Sequence, residues 1–224
     1  MRLFLTIISL ISLIACEQTN SNIKDTKMIP VLTKNQKMDT SSFWKIIDYG
    51  FERGNFNNKT KAQAILEQLT KLTPEQIQEF EIIFQAMNKK ATTQGVYAAQ
   101  ILIEQGSSDD RFYYFRCWLI SLGEYNFNQT IKNADHLATL DIPINEQYGE
   151  YYCQFEELIP MADNAYEIVT KKDPLTDYTF PRPNAEKLGL FYDSSALIYM
   201  TDPDWSDDEI RKRLPKLYSK YSVK

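Results

Sequence analysis

Ser108-Asp109-Asp110-Arg111-Phe112-Tyr113-Tyr114-Phe115-Arg116-Cys117-Trp118-Leu119-Ile120-Ser121-Leu122-Gly123 is the stretch whose reading decides the fold. Phe112, Phe115, Trp118, Leu119 and Leu122 recur at spacings of three and four, the period of one helix face. Ser108 is an N-cap residue, Asp109 and Asp110 suit the positive end of the helix dipole, and Gly123 supplies a stop. A helix with so heavy an aromatic stripe needs other elements to cover it, so the segment predicts a packed helical core.

The flanking chain repeats the pattern. Phe43, Trp44, Ile47 and Phe51 form one stripe, with Asp39, Thr40 or Ser41 before it as cap, and Ala62, Ile65, Leu66 and Leu69 form a second. Thr73-Pro74-Glu75-Gln76 is a capping box with proline at the first helical position, followed by Ile77, Phe80, Phe84 and Met87 on one face. Val96 to Glu104 reads as a short apolar helix ended by Gly106. A small helix is expected over Phe127 to Leu137, and a longer one over Glu150 to Thr170, kinked near Pro160. Pro174 to Pro183 is turn-rich, and Leu190 to Met200 reads as a short strand pair or irregular chain. Ser206-Asp207-Asp208-Glu209 caps a terminal helix that Pro215 divides. The expectation is a mainly α fold, one compact domain of roughly six to eight helices, with a short irregular β element near the C-terminus.

Composition narrows the function classes. A net charge of −5 and a pI near 5.1 argue against a general nucleic-acid binder, which needs a basic surface. The seven glycines include no pair closer than Gly50 and Gly54, so no glycine-rich phosphate loop can form. His136 is the only histidine, and neither a C-x-x-C nor an H-E-x-x-H motif occurs. No metal site and no cofactor are therefore expected.

The N-terminus reads as an address. Arg2 precedes an uncharged apolar run from Leu3 to Ala15 that is too short to span a bilayer but suits a signal peptide. The run closes on Leu13-Ile14-Ala15-Cys16, which resembles the bacterial lipobox. That resemblance implies cleavage before Cys16 and attachment of lipid to its thiol, placing the protein in the cell envelope on the non-cytoplasmic side of a membrane. The expected organisation is a leader over 1–15, an anchor and flexible polar tether over 16–39, and a helical domain over 40–224 with a C-terminal extension from about residue 174.

The segment Gly106 to Gly123 also resembles the signature of the domain of unknown function 4240 family: a glycine, S-D-D, two spaced phenylalanines, R-x-W-L-I and a closing glycine. Phe43-Trp44, Ala165-Tyr166-Glu167 and Pro215-Lys216-Leu217-Tyr218 add to the likeness, which runs over Met38 to Thr170 and the last twenty residues. Cys117 departs from it, standing where the pattern has a small residue, and the lipoprotein leader is an addition. The resemblance implies a helical fold and brings no activity with it.

Candidate sites follow from residue chemistry. Asp109, Asp110, Arg116 and Glu157 form the best candidate polar cluster; the alternative is a helix cap with Arg116 in an internal ion pair. With Glu156, the same acids could serve an enzyme working by carboxylate acid/base chemistry. Cys117 and Cys153 remain after lipidation, either as a disulfide or as two buried thiols. His136 is expected to pack rather than to act. Asp202, Asp204, Asp207, Asp208 and Glu209 lack the calcium-loop spacing. Asp141 to Val169 holds seven acids and no Lys or Arg, interleaved with Tyr148, Tyr151, Tyr152 and Phe155, whereas Arg211 to Lys224 holds six bases and no acid. Either the two pack together, or the acidic aromatic helix is a surface for a protein partner. A membrane-tethered binding or scaffold module is the leading reading.

Overall fold

Local capping chemistry sets most of the helix boundaries. In the computed structural model, which describes residues 32–147, 149–177 and 205–222, α1 (Thr40–Gly54) starts where Asp39 accepts a hydrogen bond from Ser42 N at 2.7 Å. Asn57 caps α2 (Asn58–Leu69), and the Thr73–Gln76 capping box opens α3 (Pro74–Lys90) as expected. Thr93 caps α4 (Gln94–Glu104) and Ser108 caps α5 (Asp109–Ser121). α6 (Gly123–Lys132) follows after a single residue. A 3-10 turn over Ala134–Thr139 leads to a minimal antiparallel pair, β1 (Ile144–Asn145) and β2 (Glu150–Tyr151). A second 3-10 turn, Glu156–Leu158, precedes α7 (Met161–Thr170). The terminal helix is divided at Pro215 into α8 (Asp207–Arg213), opened by the Ser206–Glu209 capping box, and α9 (Pro215–Tyr221).

The expected aromatic stripe of α5 lies in the core: Phe112, Phe115, Trp118, Leu119 and Leu122 are all buried. Phe43 and Phe80 meet at 4.8 Å between ring centroids, and Trp44 and Phe127 at 5.0 Å, so α1, α3 and α6 share one aromatic interior. α1 and α2 approach most closely. A Cβ on Gly50 would lie 2.6 Å from Ile65 Cγ1, and one on Gly54 would lie 2.6 Å from Lys61 Cγ and the Lys61 amide nitrogen. The α5–α6 junction also needs its glycine, since Gly123 has φ +90° and a Cβ there would stand 2.5 Å from Asp48 Oδ1.

Three expectations need correction. Glu150 to Thr170 is not one kinked helix; only Met161–Thr170 is α-helical. Upstream, a turn around Gly149 (φ +68°), with Gly149 N donating to Asn145 O at 2.8 Å, folds the chain into the β1–β2 pair. The left-handed residue closing α4 is Gln105 (φ 56°), not Gly106. On α2, Lys61 and Gln68 face inward with Ile65 and Leu69, while Ala62 and Leu66 are half-buried.

Packing also begins earlier than the expected tether boundary. Gln76 Nε2 donates to Thr33 O and Gln36 O, Glu79 accepts from Met38 N at 2.7 Å, and Met38 is buried. Cys16, the leader, most of the tether, Tyr148, Leu190 to Met200, Asp202 and Asp204 lie outside the described residues.

Candidate functional site

The sequence-derived cluster is distributed over different surroundings. Asp109 and Asp110 are exposed in the first turn of α5, where they face the helix dipole. Arg116 lies two turns on and is wholly buried: its Nε donates to Phe112 O at 3.3 Å, its guanidinium donates to Thr92 Oγ1, and it stacks on the Phe112 ring at 4.7 Å. Burial pulls its pKa down to about 10, which leaves it charged at neutral pH. Glu157 is exposed on the second 3-10 turn, and its charge acts on Lys61 rather than on Arg116. Arg116, wholly buried, therefore shares no solvent-facing surface with the three exposed acids.

Among the acid/base candidates, Glu156 and Asp110 come closest to one another's influence. Tyr114 donates a hydrogen bond from its hydroxyl to Glu156 Oε1 at 3.3 Å. Desolvation, Glu156 and Asp110 together raise the Tyr114 pKa. His136 packs its ring edge on Tyr125 and meets Asn126 Oδ1 at 3.2 Å, with burial lowering its pKa. Cys117 and Cys153 are both free and buried. Cys117 faces Asn88 of α3 at 3.5 Å, whereas Cys153 lies by Lys61 and Glu104, and burial raises both thiol pKa values.

Five buried charged groups, Lys61, Glu79, Glu81, Glu104 and Asp135, were not singled out from sequence, and Lys61 and Glu104 lie nearest the candidate residues. Lys61 reaches through the α1–α2 contact, donates to Ser121 Oγ at 2.7 Å and lies 4.8 Å from the Phe155 ring centroid. Loss of hydration drives its pKa down to about 7. Its signal was present: Lys61, Ile65 and Leu69 recur every four residues, which puts the lysine on the apolar face. Glu104 accepts from Cys153 N at 2.8 Å, from Gln154 Nε2 at 3.3 Å and from Gln100 Nε2 at 3.0 Å, with Arg111 at 3.8 Å. Burial raises its pKa against those stabilising bonds.

This network anchors the acidic aromatic stretch inside the domain. Phe155 is buried, Phe155 N donates to Tyr114 O, and Tyr151 meets Tyr221 of α9 edge-on at 4.9 Å. Tyr152 keeps 37% of its surface exposed. α9 is held by Asp135, which accepts from Leu217 N at 2.8 Å, and by Lys220, which donates to Ala138 O and Leu140 O.

Two surface clefts stand out among the described residues. One, of about 560 Å³, is walled by Asp48, Phe51 and Glu52 of α1 and by Gly123, Glu124 and Tyr125 at the start of α6. Asp48 accepts from Glu124 N at 2.8 Å, and desolvation followed by the neighbouring Glu124 and Glu52 charges raises its pKa. The other, of about 300 Å³, lies between the start of α4, the end of α6 and the Trp205–Leu214 segment. Among the described residues no group of three or more His, Cys, Asp or Glu is arranged to hold a metal ion.

Fold and site together define a small helical domain whose buried charges bind its own irregular segments and whose clefts lie at helix ends. The chain belongs to the family described as protein of unknown function (DUF4240), whose model matches residues 38–168. No curated protein and no solved structure matches it significantly.

Proposed function

We propose that this is a lipid-anchored protein of the bacterial cell envelope whose helical domain serves as a binding or scaffold module. The observation that carries the anchor is the uncharged run from Leu3 to Ala15 ending in Leu13-Ile14-Ala15-Cys16. Among the described residues no helix is long and apolar enough to cross a membrane. Acyl chains on Cys16 would hold the protein to one. The domain would stand on the non-cytoplasmic side, on a polar tether of about 16 residues, for which a flexible chain has a reach of about 20 Å. Support for a binding role comes from the polar groups themselves: Lys61, Glu79, Glu104 and Asp135 are committed to internal hydrogen bonds, which leaves the clefts as the places to meet a ligand.

Metabolic labelling with radioactive palmitate tests the anchor. Wild type is expected to take up label and partition into detergent, and Cys16→Ala is expected to do neither. Equal labelling of the two proteins would overturn it. A carboxylate-dependent enzyme is the second reading, favoured by the placement of Glu156 and Asp110 around Tyr114. A turnover lost on Glu156→Gln at unchanged stability would establish it.

A further inference from the structure

The smaller cleft is lined by two cations and no acid, in a chain whose net charge is −5. Lys132, at the end of α6, lines both clefts, and Arg213, at the end of α8, lines the smaller one. Among the described residues no carboxylate lies within ion-pair distance of Lys132 Nζ. Arg213 has one acid near it, Glu209 at 3.8 Å, and that pair is half-exposed and beyond hydrogen-bond reach. The other oxygen of Glu209 is occupied, accepting from Ser206 N and Ser206 Oγ at 3.0 Å each. The Arg213 guanidinium instead lies over the Trp205 ring at 4.6 Å, so a planar cation and an aromatic face form one wall together.

The floor holds a second observation. Gly95 is the second residue of α4, in its first turn, and lines the cleft. Its φ is not positive, and a Cβ would meet nothing nearer than Trp205 Cη2 at 3.5 Å and Ala134 Cβ at 3.6 Å. Neither backbone conformation nor packing calls for glycine here. Its missing side chain leaves more room in the cleft than a larger residue would.

We propose that this cleft binds a small organic phosphate. The phosphate would sit between Arg213 and Lys132, accepting charge-assisted hydrogen bonds from the guanidinium fork, and the organic body would lie against Trp205. A recess of about 300 Å³ suits a compact soluble molecule. The inference deepens the binding reading above and does not depend on the lipid anchor. A chain that binds phosphate without being lipidated keeps the site, and a lipidated chain that binds none loses it.

Trp205 provides its own reporter, because Trp44 and Trp118 are each only 2% exposed. The test uses the chain from residue 16 onward with Cys16→Ser, which retains the whole described core. It is titrated with phenyl phosphate, with inorganic phosphate, with benzylamine as a cationic control, and with phosphatidylcholine vesicles with and without phosphatidylglycerol. Saturable change in tryptophan emission is expected with phenyl phosphate, weaker with inorganic phosphate, and absent with benzylamine. Arg213→Gln should weaken phenyl phosphate at least about tenfold, the equivalent of one charged hydrogen-bonding partner. Gly95→Leu should abolish binding by filling the floor, with helical circular dichroism unchanged. Trp205→Phe should remove the signal while calorimetry still detects binding, and Lys212→Gln, an exposed base outside the lining, should change nothing. The proposal is overturned by any of three results: no saturation with either phosphate, affinity indifferent to both Arg213→Gln and Gly95→Leu, or a response only to anionic vesicles, which would make the site a headgroup contact.

Discussion

Lys61→Met is the most demanding test of how the interior is built. Lys61 has no exposed surface, and removal of its ammonium from water lowers its pKa from 10.5 to about 7. That fall corresponds to roughly 5 kcal/mol of destabilisation, an order-of-magnitude figure taking about 1.4 kcal/mol per pH unit. The sign follows from the protonation states. Below pH 7 the lysine is charged in both the folded and unfolded chain, and the full cost of burying the charge is borne. Between pH 7 and 10.5 the folded chain sheds the proton first and stability recovers; above 10.5 the cost is gone. Methionine fills similar space without charge and loses one hydrogen bond, worth about 1 kcal/mol. Ser121 is not orphaned, because its hydroxyl still donates to Trp118 O at 2.7 Å. Lys61→Met is therefore expected to be more stable than wild type by about 3–4 kcal/mol at pH 6 and equal or slightly less stable at pH 10.5. Urea unfolding of both proteins at the two pH values measures it, with other titrating groups cancelling in the difference. A pH-independent difference, or a methionine variant weaker at pH 6, would refute the reasoning.

Other expectations rest on the same interior. Burial raises the Glu81 pKa from 4.5 to about 7, so its folded form holds a proton that the unfolded chain releases, and stability falls as pH rises through that window. Glu81→Gln should thus gain about 3 kcal/mol at pH 8 and nothing at pH 4, read from denaturation midpoints. Glu104→Ala removes the acceptor for Cys153 N and Gln154 Nε2, and should cost about 2–4 kcal/mol and speed hydrogen exchange at the Cys153 amide, which mass spectrometry resolves. Cys117 and Cys153 are free and buried, so a thiol reagent should find neither in the native protein lacking Cys16 and both after unfolding without reductant. A count of none in the unfolded protein would mean that they pair.

Helices whose ends are set by neighbouring residues were legible in the sequence. Thr73 to Gln76 and Ser206 to Glu209 form their capping boxes, and Ser108 caps the aromatic helix. Glu150 to Leu158 misled because Tyr151, Tyr152, Phe155 and Leu158 carry a helical period, yet the backbone there is fixed by Glu104, 49 residues before Cys153. Periodicity cannot report a contact at that separation. For the same reason the sequence left open whether Arg116 joins a polar cluster or an internal ion pair, whereas its partners in the fold include Thr92 and the Phe112 carbonyl and ring. Lys61 was overlooked because a lysine on an apolar face looks like an interruption, and only the Gly50–Gly54 contact makes room for its stem. The smaller cleft draws on Gly95, Lys132 and Arg213, which no local pattern links.

A common rule connects four of the buried and half-buried acids, and it bears on where function can reside. Glu79 accepts from Met38 N, Asp48 from Glu124 N, Glu104 from Cys153 N, and Asp135 from Leu217 N. Each of these N–H groups lies at a helix start or in irregular chain, where no carbonyl one turn back is available. A carboxylate from 41 to 82 residues away takes the carbonyl's place. These acids replace missing helix hydrogen bonds, so removing one should loosen a segment before it alters any chemistry. Asp135 is the most consequential of them. The family match ends at residue 168, and Asp135 ties α9, which lies beyond it, onto the matched domain. Trp205 and Arg213 belong to that added part, whereas Gly95 and Lys132 belong to the domain. The smaller cleft therefore exists only where the extension docks, and Asp135, next in sequence to Ala134 in its lining, holds the two walls in register.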